Sequence, residues 1–176
     1  MNASNDDSVY GANVFTAKVD EKLDKAGFMY VGKTGSADYT LSVYTDVSDS
    51  DPIGVLETQI SGSVSANGFY TVDFPEDVLL EEGEKYSISV KFSGDSGRGY
   101  LLAESDRTSK AQSGQSYISL NGKYWSDVGA DKTDSIGSLF IYAYTDDIAK
   151  PDKSSLETTL SLIHISEPTR RTPISY

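Results

Sequence analysis

Alternation of apolar and polar residues is the dominant pattern between residues 8 and 146. In residues 86–93, for example, Tyr, Ile, Val and Phe alternate with Ser and Lys, and residues 39–44 repeat the same pattern. A period of two is typical of β-strands that bury one face. No segment keeps a helical period beyond roughly two turns. The nearest approaches are residues 20–25 and 76–82.

The alternating segments predict an all-β domain. Clusters of Gly, Asp, Ser and Asn separate the segments, as expected for turns between short strands. About nine short strands with this punctuation predict an antiparallel β-sandwich of Greek-key or jelly-roll type. The predicted strands are residues 13–19, 26–31, 39–44, 55–63, 68–74, 86–93, 100–104, 115–120 and 138–145.

A local motif bears on the topology. Leu80, Gly83 and Tyr86 have the spacing of a tyrosine corner, in which a Tyr hydroxyl bonds to upstream backbone. Such a corner favours a Greek key. The alternative interpretation is that the Tyr86 ring simply packs.

Charge and composition narrow the classes of partner. The 176 residues carry a net charge of -12, with 27 acidic and 15 basic side chains. This balance repels phosphate backbones and anionic lipid, so we expect no nucleic-acid partner. No run of about 18 apolar residues occurs, so we expect no membrane insertion.

The C-terminal residues have a different origin from the domain. Residues 160–170 read Leu-Ser-Leu-Ile-His-Ile-Ser-Glu-Pro-Thr-Arg, and with residues 174–176 they resemble the translation of a transposase sequencing adapter. We interpret residues 160–176 as unstructured read-through, the alternative being a natural disordered tail. We therefore expect the natural protein to continue beyond residue 159, and Met1 is a candidate internal methionine.

The remaining boundaries follow from composition. Residues 1–8 are predicted to be a disordered N-terminal lead and residues 9–146 the β-sandwich domain. Residues 147–159 lose the alternation and become Asp, Lys, Ser and Thr around Pro151, which is typical of a linker.

Catalysis by the usual nucleophiles is disfavoured. The chain has no Cys, and its one His, His164, lies in the adapter-like segment. The run of residues 94–97, Gly-Asp-Ser-Gly, copies a serine-protease signature, but its Ser has no His to act as general base. We interpret it as a β-turn, and we predict that this chain is not an enzyme.

An acidic loop is the one metal candidate. Asp46, Asp49 and Asp51 could offer oxygens to calcium, which takes six to eight oxygen ligands. The loop lacks the spacing and closing Glu of an EF-hand, so a solvated acidic turn is the preferred interpretation. We predict no cofactor, with calcium at these residues as the alternative.

Aromatic residues offer candidate ligand contacts. In residues 138–145 one face would carry Leu139, Ile141 and Ala143, while the other carries aromatic rings, so one set should be core and the other covered or exposed. Tyr124 and Trp125 follow an Asn-Gly turn, where rings could bind a sugar at the sandwich rim. Packing of Trp125 into the core is the alternative.

Several motifs, taken in order, carry a family resemblance. They are residues 12–17 with 20–23, residues 39–46, residues 68–72, residues 114–119 with Trp125, and residues 142–145. Together they resemble the lectin-like domain found beside papain-like cysteine protease domains in bacterial and some archaeal surface proteins. The resemblance implies a β-sandwich, an extracellular or cell-surface location, and an attached protease domain upstream. It transfers neither catalytic residues nor defined sugar contacts.

The sequence thus predicts a non-catalytic accessory module of a secreted or cell-surface protease. Its expected ligand is a glycan or cell-wall polysaccharide, bound near Tyr124 and Trp125. The alternative is a structural stalk or adhesion module that acts through protein contacts.

Overall fold

Two antiparallel β-sheets make up the structure, a computed structural model that describes residues 8–33, 35–48, 50–94, 100, 101, 103, 111–130 and 137–148. Sheet A has the order β4-β3-β6-β1-β8-β9, and sheet B has the order β10-β2-β5, with β7 also paired to β2. The strands of sheet A are β1 (Val9–Thr16), β3 (Ala37–Thr45), β4 (Val55–Val64), β6 (Lys85–Ser93), β8 (Ser116–Ser119) and β9 (Ser126–Asp127). The strands of sheet B are β2 (Glu21–Val31), β5 (Gly68–Leu80), β7 (Tyr100–Leu101) and β10 (Ile141–Asp147).

The core lies between the inner faces of the two sheets. Alternate residues of β6 and β3 are buried from one side, and alternate residues of β2 are buried from the other. Aromatic rings connect the layers, since Phe92 of β6 lies 5.5 Å from the Phe28 ring and 5.1 Å from the Tyr30 ring. Edge and tilted contacts of this kind add to the hydrophobic stabilisation of burial. The predicted all-β antiparallel sandwich is therefore confirmed.

The helix-like segments of the sequence are parts of long, irregular strands. Residues 21–25 lie in β2 and residues 76–80 lie in β5, where the pairing register shifts between Leu23 and Lys25. A bulge of this type adds residues that break strict alternation. Glu21 and Leu23 are buried like Ala26 and Phe28, so the irregularity keeps both halves of β2 directed inward.

Strand boundaries differ from the sequence prediction at a few ends. The first strand begins earlier and stops at Thr16, and the last begins at Ile141. The two-residue strand β9 was not predicted, because two residues are too short to show a period. The described part of the chain therefore holds ten strands, against about nine expected.

Asn13 of β1 joins the two sheets through a buried hydrogen-bond network. Its Nδ2 donates to the carbonyl oxygens of Leu139 at 2.8 Å and Ile141 at 3.0 Å. Its Oδ1 accepts the Ser116 hydroxyl at 2.7 Å, and the Leu139 backbone N–H donates to the same Ser116 oxygen at 3.3 Å. Asn13 is 6 % exposed and Ser116 is fully buried, so water offers little substitute for these bonds.

The outer face of sheet A is covered at its centre by the loop that joins β3 to β4. Pro52 in this loop is almost fully buried, and its carbonyl oxygen accepts the Ser87 hydroxyl of β6. Ala12, Ser42 and Ser89, which have small side chains, are also buried. Pro52 therefore anchors the end of this loop to the sheet, while Asp46, Ser50 and Asp51 before it are exposed.

Tyr86, the residue of the predicted tyrosine corner, packs through its ring. The ring is buried and stacks on Phe15 with centroids 5.4 Å apart. Burial and the Glu21 carboxylate both raise the pKa of the Tyr86 hydroxyl above its ordinary value. The turn before it is fixed by backbone instead, since Gly83 has a φ of 87° and donates to the Ala17 carbonyl at 2.8 Å. These contacts match the alternative interpretation, in which the ring packs.

Several boundary predictions lie outside the described residues. They are the N-terminal lead up to residue 7, the linker from residue 149 onward, and residues 160–176. Across the described ranges, no helix has the length and apolar character needed to span a membrane.

We predict that Asn13→Ala lowers the free energy of unfolding by about 2 to 4 kcal/mol, because it leaves buried carbonyl groups without a hydrogen-bond donor. Asn13→Asp should cost at least as much, since an ionised carboxylate cannot donate to those carbonyls. Urea unfolding measures both. The control is Thr40→Ala, which removes the exposed 3.0 Å hydroxyl contact with Ser61 and should change stability by less than about 0.5 kcal/mol. An Asn13→Ala variant as stable as this control would contradict the bridging role.

Candidate functional site

Four aromatic residues form a partly exposed band on the outer face of sheet B, and we call Phe69, Phe140, Tyr142 and Tyr144 the aromatic stripe. Phe69 is 44 % exposed, Tyr142 39 % and Tyr144 40 %. The rings of Phe69 and Tyr142 meet edge to face with centroids 5.7 Å apart, and Phe140 lies 6.4 Å from Tyr142. Three of the four residues come from the C-terminal strand region, and Phe69 is brought to them by β5.

The stripe follows from the alternation in residues 138–145. Leu139 and Ile141 are buried in the core, while Tyr142 and Tyr144 face outward. The prediction that one set is core and the other a separate aromatic face is therefore confirmed. Its position next to Phe69 could not be predicted, because it depends on the pairing of both β5 and β10 with β2.

Gly27 allows the rings to lie close to the sheet. A Cβ atom at this position would lie 2.5 Å from Cζ of Phe69 and 3.2 Å from Cε2 of Tyr144. Gly27 is buried under these rings although it sits on the outer face. Because Gly27 has no side chain, these two rings can cover β2, the strand between them, and form a broad apolar surface.

One ammonium group and several carboxylates border the stripe. Lys25 lies beside it, with Nζ 3.6 Å from an oxygen of Asp73 and 3.6 Å from an oxygen of Asp24. A shallow depression of about 420 Å³ adjoins Tyr144 and is lined in part by Asp24, Lys25 and Asp146. Flat rings beside carboxylates and an ammonium group can contact both the C–H faces and the hydroxyls of a sugar.

The predicted site residues Tyr124 and Trp125 occupy the loop between β8 and β9. Tyr124 is 79 % exposed, whereas Trp125 is half-buried and packs edge-on against Tyr10 at 6.4 Å. The Nε1 atom of Trp125 is buried and has no hydrogen-bond partner among the described residues. Trp125 does not belong to the main core cluster, so its environment lies between the core and platform alternatives.

The loop that carries these rings is well ordered by its own side chains. Asn121 Oδ1 accepts the backbone N–H groups of Lys123 at 2.9 Å and Tyr124 at 3.0 Å. Gly122 has a φ of 69° and donates to the Ser119 hydroxyl at 2.9 Å. The Asn-Gly turn predicted from the sequence is thus present, and it connects two antiparallel strands.

Polar groups of the acidic loop form hydrogen bonds within the loop. Asp51 Oδ1 accepts the Ile53 N–H at 3.0 Å, and the Asp51 N–H donates to the Ser48 hydroxyl at 3.1 Å. Asp46 adopts a φ of 53°. Asp49 and the Asp-Ser-Gly part of residues 94–97 lie outside the described residues. Within the described ranges, no three His, Cys, Asp or Glu side chains are grouped to hold a metal ion.

Comparison with known proteins identifies the family. Residues 1–145 match the family model described as a lectin like domain, so the chain belongs to the lectin-like domain family. No curated protein matches the sequence.

Solved structures share the fold. The structure of the cysteine protease and lectin-like domains of Cwp84, a surface layer associated protein of Clostridium difficile, is 25 % identical with a TM-score of 0.66. That match covers 81 % of this chain and 33 % of the Cwp84 chain. A second structure, clostridial cysteine protease Cwp84 after propeptide cleavage, is 24 % identical with a TM-score of 0.65, covering 81 % and 36 % of the two chains. The present chain therefore spans about a third of each of these solved chains.

We predict that Gly27→Ala destabilises the protein by about 1 to 3 kcal/mol, because the added methyl group overpacks the space beneath the stripe. The double variant Gly27→Ala with Phe69→Ala should recover most of this loss, since the nearest atom is on the Phe69 ring. Denaturant unfolding of the two variants, with Phe69→Ala alone as control, gives the coupling energy. If the effects of the two substitutions on the free energy of unfolding are additive, the Phe69 ring does not pack on Gly27.

Calcium gives a second prediction. Millimolar calcium should leave the melting temperature unchanged, because the Asp51 carboxylate is already bonded within its own loop. A site filled at a hundredfold excess over its Kd would add about 2.7 kcal/mol. A stabilisation of that size, abolished by Asp49→Ala, would contradict the prediction.

Proposed function

We propose that this chain is a non-catalytic accessory module of an extracellular, cell-surface protease and that it binds carbohydrate. Membership of the lectin-like family supports the module assignment. In the Cwp84 structure a lectin-like domain occurs with a cysteine protease domain in a surface layer associated protein. By analogy, the partner within the natural protein is an attached protease domain, and the ligand is a glycan or cell-wall polysaccharide.

The aromatic stripe is the observation that carries the carbohydrate proposal. Its three most exposed rings are each about two-fifths accessible, and two of them, Phe69 and Tyr144, lie over Gly27 of β2. A preformed surface binds without a large ordering cost, because the rings are already held by neighbouring side chains. Phe69, Tyr142 and Tyr144 therefore form the platform on which we place the apolar faces of sugar rings.

The charge around the stripe favours a neutral polymer. Lys25 is outnumbered by Asp24 and Asp73, so the border presents no excess positive charge. The chain as a whole is strongly acidic and would repel a polyanion. We accordingly propose an uncharged polysaccharide as the ligand of the stripe.

Tyr124 and Trp125 form a second candidate surface at the rim. Tyr124 is the most exposed aromatic side chain among the described residues, but it stands alone, and the Trp125 ring is partly covered. A single exposed ring gives less contact area than three adjacent ones. The rim is therefore proposed as an accessory contact, and the stripe as the main one.

We predict that Tyr142→Ala and Phe69→Ala each weaken retention on an insoluble neutral polysaccharide by about tenfold. Half-burial of an aromatic side chain contributes about 1.4 kcal/mol to the free energy of binding, which corresponds to a tenfold change in affinity. Affinity electrophoresis or a pull-down measures the effect. Tyr124→Ala and Trp125→Ala should weaken retention less. Leu79→Ala, which removes a side chain 70 % exposed elsewhere on β5, is the matched control.

The same variants test the alternative function. If the wild type is retained on the polysaccharide and only Tyr124→Ala and Trp125→Ala weaken this retention, the rim is the binding surface. If the wild type binds no polysaccharide, the carbohydrate proposal is wrong. The stripe would then fit a stalk or adhesion module that contacts another protein through its exposed rings.

A further inference from the structure

The dipeptide Asn-Gly occurs twice in the sequence, as Asn67-Gly68 at the start of β5 and as Asn121-Gly122 between β8 and β9. An Asn side chain that precedes Gly can cyclise onto the main chain, because Gly has no Cβ to hinder attack by its own backbone nitrogen. The reaction needs no other protein group. Its rate in the folded protein depends on how each asparagine is held, and the two dipeptides differ in this respect.

The chemical change is deamidation. The Gly nitrogen loses its proton to solvent hydroxide and forms a bond to Cγ of the preceding Asn, whose bond to Nδ2 breaks and releases ammonia. Water then opens the succinimide ring at either of its carbonyl carbons. The products are aspartate and isoaspartate, in which the main chain runs through the former side chain and is longer by one atom. Either product adds a negative charge to a chain that is already acidic.

Asn121 is held against this reaction at both reacting groups. Its Oδ1 accepts the backbone N–H groups of Lys123 at 2.9 Å and Tyr124 at 3.0 Å, which fixes the orientation of the carboxamide. The N–H of Gly122, the nitrogen that would attack, donates to the Ser119 hydroxyl at 2.9 Å. Cyclisation at Asn121 therefore has to break hydrogen bonds of both the carboxamide and the attacking nitrogen.

The side chain of Asn67 is held more loosely. Within the described residues it has one hydrogen bond, in which Oδ1 accepts the Gly32 N–H at 2.9 Å. Among the same residues no atom beyond the chain neighbours lies within 4 Å of a Cβ built on Gly68, whereas a Cβ on Gly122 would lie 2.9 Å from Cε1 of Tyr10. A succinimide ring therefore has room at Gly68 that it lacks at Gly122.

We propose that Asn67 is a deamidation site of the folded domain and that the turn around Asn121 protects the second Asn-Gly dipeptide. The Asn121 side chain must lose at least one more hydrogen bond than the Asn67 side chain before it can cyclise. Each hydrogen bond that must open lowers the reactive population by a factor of roughly five. Crowding by the Tyr10 ring acts in the same direction.

Deamidation at Asn67 would alter the aromatic stripe. Phe69 follows two residues later and pairs with Met29 of β2, while its ring lies over Gly27. An isoaspartate lengthens the main chain directly before Gly68, so β5 cannot keep both its pairing and the position of this ring. The resulting loss of polysaccharide retention rests on the proposed function, whereas the deamidation itself does not.

The test follows both asparagines in one sample. The full chain is incubated in mildly alkaline buffer, either folded or in urea, and peptide mapping by mass spectrometry gives the rate of deamidation at each site. In the folded chain we expect Asn67 to react at least about fivefold faster than Asn121. In urea we expect similar rates, because the hydrogen bonds that distinguish the two sites are lost.

Two variants separate the causes. Gly68→Ala should slow deamidation of Asn67 severalfold, since the added methyl group has room in the fold but hinders the attacking nitrogen. Ser119→Ala removes the acceptor of the attacking N–H in the other dipeptide, so it should speed deamidation of Asn121 roughly fivefold in the folded chain and leave it unchanged in urea. Ser126→Ala, which alters an exposed serine of β9, is the matched control and should change neither rate.

The proposal is overturned if Asn121 deamidates as fast as Asn67 in the folded chain, or if the ratio of the two rates is the same in urea. Retention on the neutral polysaccharide is measured separately on the purified isoaspartate form, with Phe69→Ala as reference. Weaker retention supports the effect on the stripe, and unchanged retention shows that this effect is wrong. If the unmodified chain is not retained at all, the proposed function fails, while peptide mapping still decides the deamidation site.

Discussion

A buried carboxamide fixes how the two sheets of this domain meet. Apolar contact alone is non-directional and would tolerate sliding of one sheet on the other. Asn13 removes this freedom, because its two donor bonds to Leu139 and Ile141 and its acceptor bond from Ser116 require one relative position of β1, β8 and β10. All of these groups are buried, so any alternative packing would leave polar atoms without partners.

The position of β10 in turn determines the aromatic stripe. Tyr142 and Tyr144 project from one side of this strand onto the outer face of sheet B, and Thr145 projects from the other side toward Glu21. A bulge at the pairing of β2 with β10 lies between Tyr144 and Thr145. Because Asn13 holds the strand at its start, the stripe is preformed, and a preformed surface lowers the entropic cost of binding.

The sandwich could be predicted from the sequence because alternation is a local property of each strand, which can be recognised without knowing which strands pair with it. The two faces of residues 138–145 could be predicted for the same reason. The burial of Glu21 could not be predicted, since the β2 irregularity obscures the period and the Thr145 hydroxyl that bonds Glu21 lies 124 positions away. The same bulge explains why residues 20–25 come nearest to a helical period although residues 21–25 lie in β2. Trp125 shows another limit, because its half-burial depends on Tyr10, a residue that β8 brings near only through pairing with β1.

The chemistry of the aromatic stripe explains what kind of recognition it can give. Exposed rings bind the apolar faces of many sugars with similar strength, so the stripe would contribute affinity with little discrimination. Discrimination by buried polar groups that a wrong ligand leaves unpaired is much steeper than discrimination by apolar contact. The stripe consists of ring faces on a broad surface, so its chemistry suits holding the module on a polymer surface rather than selecting one sugar.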